Sequence, residues 1–473
     1  MSNSSASATL SPNLTQQEIV NTATQAFIYG FPLVVMDITK EQFTNFEHPH
    51  SEGAPINYFS NKHNFPGPSN TTVVRPNCDT YYSIAFINLI EGPLVLNMPK
   101  TDEQYYMMPL LDAFTNVIDG SPGKRTGDTD GGQYLIVGPK HGIPAGTDTT
   151  QYAGVIHSPT NLVWALGRFQ VNNTSIDDMD DNGAGKVRSL QSEIKITTIN
   201  GNNPPKGVPP HKVPVGSANE IVTNMDIKEF FARLNTLLIN NPPTADDQPS
   251  MEVFAPIGVG TESAIPFNEL TFDEDTMNAL EALPNSIVES LTAQGNNSSS
   301  KPDHWTYNLD SEMGNYGIDY NKRAIIACIG FGANLIEDAV YYNTSEDSTG
   351  TPLNGGTGQY TLNFDELPPI DGFWSLTMYD NQGNLYANTI SRYVVGHNDE
   401  YPLVTNDGQT IIYIQNEEIP GGDPRFNNWL PAPATPFTVL LRAYDPTGGL
   451  EGPIITETWT PPAIVKSNSL EHV

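Results

Sequence analysis

The stretch "RPNCDTYYS", residues 75–83, sets Arg75, Asn77 and Asp79 at alternate positions, with Tyr81 and Tyr82 close behind. It runs straight into "YYSIAFINLIEGPLVLNMP", which reads as buried β-structure. A strand mouth can display polar groups while the strand stays anchored in a core. Arg75 precedes Pro76, which favours extended backbone and aims Arg75, Asn77 and Asp79 toward one side. "LLDAFTN" (110–116) repeats the arrangement: Asp112 and Asn116 end an apolar run, and Arg125 follows in the Gly-containing "SPGKRTG". Carboxylates beside arginines can move protons or hold an anion or a carbonyl. Asp79 and Asp112 are therefore the candidate catalytic groups, and Arg75, Asn77, Tyr81, Tyr82, Asn116 and Arg125 the candidate ligand-binding set. Arg75, Asp79, Asp112 and Arg125 are expected to lie close together. The same residues also suit a structural use. A buried Arg–Asp network would tie loops to strand ends, with Asn77 and Asp79 making side-chain turns. Both readings stay open.

Arginine is scarce, and of the nine present, Arg75, Arg125, Arg168, Arg392 and Arg442 sit inside or beside β runs. In so acidic a chain each calls for a bidentate partner, either an internal Asp or the carboxylate of a ligand. Other chemistries fail on spacing. "SPGKRTG" has Arg125 where a phosphate loop needs Ser or Thr. The nine histidines are scattered, and no CxxC, HExxH or GxSxG occurs. In "DMDDNG", Asp178, Asp180 and Asn182 alternate like the first half of a calcium loop. The closing position is Ser189 rather than a bidentate Glu, so three oxygens would have to fill a shell that needs six or more. Calcium is the one ion with any support here, and an acidic loop that caps the helix beginning near Ala184 explains the pattern better. No organic cofactor is expected.

These residues must be held by something. At 473 residues the chain is long for a single core. Asp plus Glu number 54 against 22 Lys plus Arg, a net charge of −32. That disfavours nucleic acid and anionic membrane surfaces, and suits a soluble surface. The Ser/Thr/Asn-rich beginning reads as a tail without a signal peptide's apolar region, and "AIIACIGFGANLI" (324–336), taken as the longest apolar helical stretch, is too short to span a bilayer. No membrane insertion is expected, and the location is extracellular or cytoplasmic. Cys78 and Cys328 sit in unlike apolar contexts and read as two buried free thiols.

The periodicity predicts an α+β, mainly β protein. Residues 1–15 form the tail and 16–200 a helix plus a β-rich domain, with the helix kinked or interrupted near Pro32. Residues 201–345 form a linker and helical region, with helices over 221–243, 273–293 and 321–342; "NLVWALGRFQV" is ambiguous between strand and helix. Residues 346–473 form a β-sandwich or jelly-roll-like domain. In "GFWSLTMYD", Trp374, Leu376 and Met378 should face its core. The alternating Phe373, Ser375, Thr377 and Tyr379 suit a pocket wall, a subunit interface or an interdomain contact.

"RPNCDTYYSIAFINLIEGPLVLNMP", "YYMMPLLDAFTNVIDGSPGKRTG" and "SPTNLVWALGRFQV" resemble domain-of-unknown-function family 1254. "YGIDYNKRAIIACIGFGANLIEDAVYYNTSED", "LPPIDGFWSLTMYD" and "NWLPAPATPFTVLLRAYDP" resemble its usual partner, family 1214. The chain departs at Cys78, where the family pattern more often has a second Asn. The resemblance implies a β-rich first domain, a helical middle and a C-terminal β-sandwich, often in a homo-oligomer. It carries no established reaction. The expected function is binding of a small polar or anionic molecule, with hydrolysis by Tyr, Asp and Arg as the reaction within reach. The alternative is a non-catalytic structural or interaction protein in a larger assembly.

Overall fold

The helix Gln16–Phe43 begins with a capping box: the Thr15 hydroxyl accepts from Glu18 N–H, and the Glu18 carboxylate accepts from Thr15 N–H at 2.7 Å. In the computed structural model, which describes residues 14–70, 74–102, 104–173, 183–209, 213, 215–261, 263–296, 302–397 and 400–467, this helix runs on through Pro32 without interruption. Of the kink or interruption expected there, the interruption does not occur. Proline removes one ladder hydrogen bond, but every residue from Tyr29 to Ile38 is buried, so packing outweighs the local cost. The helix is long and apolar enough to cross a membrane, a longer apolar stretch than 324–336. Here it is the hub of a helical layer, and its Phe27 stacks on Phe230 at 4.2 Å.

The first β unit has two sheets. One pairs Thr80–Asn88 antiparallel with Leu162–Gln170, and the latter also with Leu110–Asp112. The other pairs Leu94–Met98 with Gly132–Val137 and Lys195–Thr198. "NLVWALGRFQV" is thus strand, and all nine residues of Leu162–Gln170 are buried. A strand covered on both faces loses alternation, which is why periodicity could not assign it. Val163, Ala165 and Phe169 face the second sheet. Trp164 and Leu166 face the helices.

The helical middle is more broken than predicted. The 221–243 helix is two, Ala218–Thr223 and Ile227–Asn240, because the Asp226 carboxylate caps a new start. The 273–293 segment is Glu274–Glu281 followed by Leu283–Asn296. The last helix ends at Ile329, and Ala339–Thr344 is a strand. Its Val340, Tyr341 and Tyr342 pair with Leu441–Ala443, a partner no local pattern reveals.

The C-terminal unit is a sandwich. Ala339–Thr344, Phe437–Tyr444, Trp374–Asp380 and Val394–Gly396 form one sheet. Gln359–Phe364, Gln409–Gln415 and Ile464–Ser467 lie in the other. Trp374, Leu376 and Met378 enter the shared core, as the alternation predicts.

Candidate functional site between the two β units

The outward face of Trp374–Asp380 meets the mouth of Thr80–Asn88. Arg75 does not take the extended conformation expected before proline. Its φ is 52°, its side chain is exposed, and its backbone does the joining. Arg75 N–H donates to the Gly383 carbonyl at 2.8 Å, and the Arg75 carbonyl accepts from Arg442 Nη2 at 3.2 Å. A tight turn makes this approach possible. Gly383 has φ 83°, and a Cβ there would stand 2.6 Å from Val74 Cγ1. The Pro76 carbonyl then accepts from Tyr379 Oη at 2.7 Å.

Asn77 closes a side-chain turn. Its Oδ1 accepts from the N–H groups of Asp79 at 2.6 Å and Thr80 at 3.0 Å, and its Nδ2 donates to Tyr444 Oη at 3.0 Å. Asp79 is fully buried. Its Oδ2 accepts from Ser375 Oγ at 2.8 Å and Tyr444 Oη at 3.0 Å, with Arg442 Nη1 at 3.8 Å. Its Oδ1 has no hydrogen-bond partner among the described residues and faces His397 Nδ1 at 3.9 Å. Burial by itself works against the Arg442 charge, but neighbouring Tyr379 and Asp79 outweigh it and raise its pKa well above the usual arginine value. Burial, then the Asp79 charge, raise the pKa of Tyr444, so it stays a neutral donor.

A second tie lies one strand over. Arg168 is directly opposite Tyr82 in the ladder and 5.4 Å from its ring centroid. It donates through Nη1 to Asn334 Oδ1 at 2.9 Å and Tyr341 Oη at 3.1 Å. Beside the Asp79 centre opens a cleft of about 430 Å³, lined among others by Phe65, Cys78, Tyr81, Arg392, His397 and Tyr401.

The expected cluster of Arg75, Asp79, Asp112 and Arg125 does not form. Thr80 pairs with Gln170, whereas Asp112 pairs with Val163 at the far end of the same strand. Seven steps of extended chain lead from Val163 to Gln170, roughly 23 Å at the usual strand rise. Asp112 instead receives Phe114 N–H at 2.8 Å and both Asn116 nitrogens at 2.9 Å, and burial pushes its pKa up against those bonds. It lines a separate cleft of about 290 Å³ with Asn116, His157, Asp247 and Arg323. Arg125 pairs with Asp338 at 2.6 Å. Asn77, Asp79 and Tyr82 therefore share the joint and Tyr81 lines its cleft, while Asp112 with Asn116, and Arg125, lie elsewhere. The calcium candidates Asp178, Asp180 and Asn182 fall outside the described residues; among the described residues no group of three or more metal-ligating side chains occurs.

His397, Ser375, Arg442 and Tyr444 were not among the expected site residues. The outward face of "GFWSLTMYD" signalled Ser375, and the scarcity of arginine marked Arg442 as a residue that calls for a partner, whereas Tyr444 and His397 stood out in no local pattern. An isolated histidine carries no signal until folding sets it beside a carboxylate.

Two expected results arise here. Cys78 is buried and its thiol is pushed up to about 12 by burial; Cys328 is half-buried and pushed up to about 11, chiefly by burial. Both are free rather than bonded. Intact-mass measurement without reductant should show two alkylated thiols after denaturation, with Cys328 reacting first in the native protein. Near Arg125, burial and then Asp371 push the Asp445 carboxyl up to about 6. A raised acid binds its proton more tightly in the folded state, so its contribution is lost as pH rises from about 4 to 6. Asp445→Asn should flatten that part of a melting-temperature profile; an unchanged slope rejects the assignment.

The profile of "Protein of unknown function (DUF1254)" matches residues 56–198, and that of "Protein of unknown function (DUF1214)" matches residues 338–448. The first match contains Asp79 and Arg168, and the second Ser375, His397, Arg442 and Tyr444. The chain shares its fold with the crystal structure of the VPA0106 protein from Vibrio parahaemolyticus, at TM-score 0.68 and 21% identity over 95% of this chain and 100% of that one. A crystal structure of an uncharacterised protein from Burkholderia cenocepacia aligns at TM-score 0.41 and 12% identity, over 96% and 92%. No curated protein matches the chain.

Proposed function

Because this chain carries the DUF1254 and DUF1214 domains in one polypeptide, with the Asp79 centre drawn from both, we propose that it binds a small polar or anionic molecule in the cleft between them and acts on it as a hydrolase. His397 is the general base and Asp79 the residue that orients it. The observation that carries this reading is the pairing of His397 Nδ1 with the one oxygen of buried Asp79 that faces no other donor among the described residues. With Nδ1–H turned toward the carboxylate, Nε2 keeps its lone pair and can take a proton from water. The water oxygen attacks a carbonyl carbon, and the proton passes to the leaving group as the old bond breaks. At 3.9 Å the pair is longer than a hydrogen bond, and such contacts tighten when substrate fills a site.

A second reading, a non-catalytic protein in a larger homo-oligomeric assembly, is favoured by one observation. Asp79 Oδ2 already satisfies two donors that bind the β units together. Hydrolysis separates the two readings. The purified protein is assayed against chromogenic esters and anilides. Turnover that disappears in His397→Gln supports the enzyme. A wild type that hydrolyses none of them, or a variant with unchanged rates, favours the second reading.

A further inference from the structure

Arg392 lines the same cleft and is only 3% exposed. Its Nη1 donates to the carbonyls of Phe426 at 2.6 Å and Trp429 at 2.8 Å, which fixes the plane of the guanidinium. Tyr401 covers one face, with its ring centroid 3.7 Å from Cζ, and Phe426 lies at 4.7 Å. Among the described residues Nε and Nη2 have no hydrogen-bond partner, and no carboxylate lies within ion-pair distance of Arg392. Tyr401 lies over the guanidinium and interacts with its charge, yet neither Nε nor Nη2 meets the Tyr401 hydroxyl in hydrogen-bond geometry. Nε–H and Nη2–H share the edge that makes two parallel bonds to a carboxylate. Leaving such an edge empty and buried is costly. Arg442 shows the contrast: its nitrogens are taken by Thr377, Tyr379 and the Arg75 carbonyl. Burial also lowers the Arg392 pKa, against Tyr401 and Glu400, so the charge gains from an added anion.

We propose that Arg392 is the recognition residue for a carboxylate ligand with a compact, ring-sized apolar body, bound in the interdomain cleft beside His397. The proposal rests on the reading that this cleft is the functional site, and it names the substrate class. The carboxylate takes the Nε–Nη2 edge. The body lies against Phe65, Tyr81 and Tyr393, walls that a bare inorganic anion would leave unused. A volume of about 430 Å³ suits a molecule of this size.

Isothermal titration of the whole chain with benzoate, benzamide and inorganic phosphate at pH 7 and constant ionic strength tests the assignment. Saturable benzoate binding is expected, with benzamide and phosphate each at least about tenfold weaker. R392K keeps the charge but loses the planar fork, and should weaken benzoate by about tenfold while leaving benzamide unchanged. Benzamide matching benzoate, phosphate matching benzoate, or no benzoate binding up to about 20 mM overturns the proposal. So does a folded R392K that binds benzoate like wild type. If R392K fails to fold, the three wild-type titrations decide. Benzoate affinity reports on Arg392 and ester turnover on His397, so either can fail without the other.

Discussion

Asp79→Ala should lower the unfolding free energy by about 3–5 kcal/mol, because it strands a buried arginine. Arg442 is 3% exposed and lies 3.8 Å from Asp79 Oδ2. The same truncation orphans Ser375 Oγ and Tyr444 Oη, two buried donors that join the β units. Urea denaturation at pH 7 measures the loss. Asp79→Asn keeps oxygen and nitrogen in place but removes the charge, so it should fall between Ala and wild type. In the double variant with Arg442→Met the stranded charge is gone, and the combined loss should be smaller than the sum of the single losses. A folded Asp79→Ala within about 0.5 kcal/mol of wild type would mean that the joint does not depend on this carboxylate.

His397→Gln should cost a factor of about 10²–10⁴ in kcat/KM on any ester the protein hydrolyses, the usual share of a general base. Stability should change less than in Asp79→Ala, since Gln leaves a polar side chain facing Asp79, whereas Ala strands the buried Arg442 charge. The pH profile carries the sharper test. The wild-type rate should fall on the acid side as the imidazole takes up a proton and can no longer accept one. Gln does not titrate, so any residual rate in the variant should lack that limb. An identical acid limb in both proteins would assign the base to another residue. Arg75 offers a control: its side chain is exposed and its contribution to the joint is made by the backbone.

Much of the architecture follows from local chemistry. Alternation in "GFWSLTMYD" separates Trp374, Leu376 and Met378, which enter the sandwich core, from Ser375, Thr377 and Tyr379, which face the other unit. Amphipathic spacing places Phe230, Phe231, Leu234 and Leu238 on a buried helix face. Where local rules misled, tertiary burial had overridden them. Pro32 is carried inside a helix buried against its neighbours, and Leu162–Gln170 shows no alternation because both its faces are covered.

The candidate site divides along the same line. The types and spacing of Asn77 and Asp79 were enough to mark a polar strand mouth, because a side-chain turn is made by neighbours in sequence. Which groups meet Asp79 was decided by the fold alone. Ser375 and Tyr444 lie 296 and 365 positions away along the chain. Asp112, whose sequence setting looks the same, was carried to the far end of the ladder by the pairing register. Local patterns report backbone preference and the face a residue presents. Proximity across hundreds of residues depends on strand register and on how two sheets dock, and both are set by the sum of many packing contacts rather than by any motif.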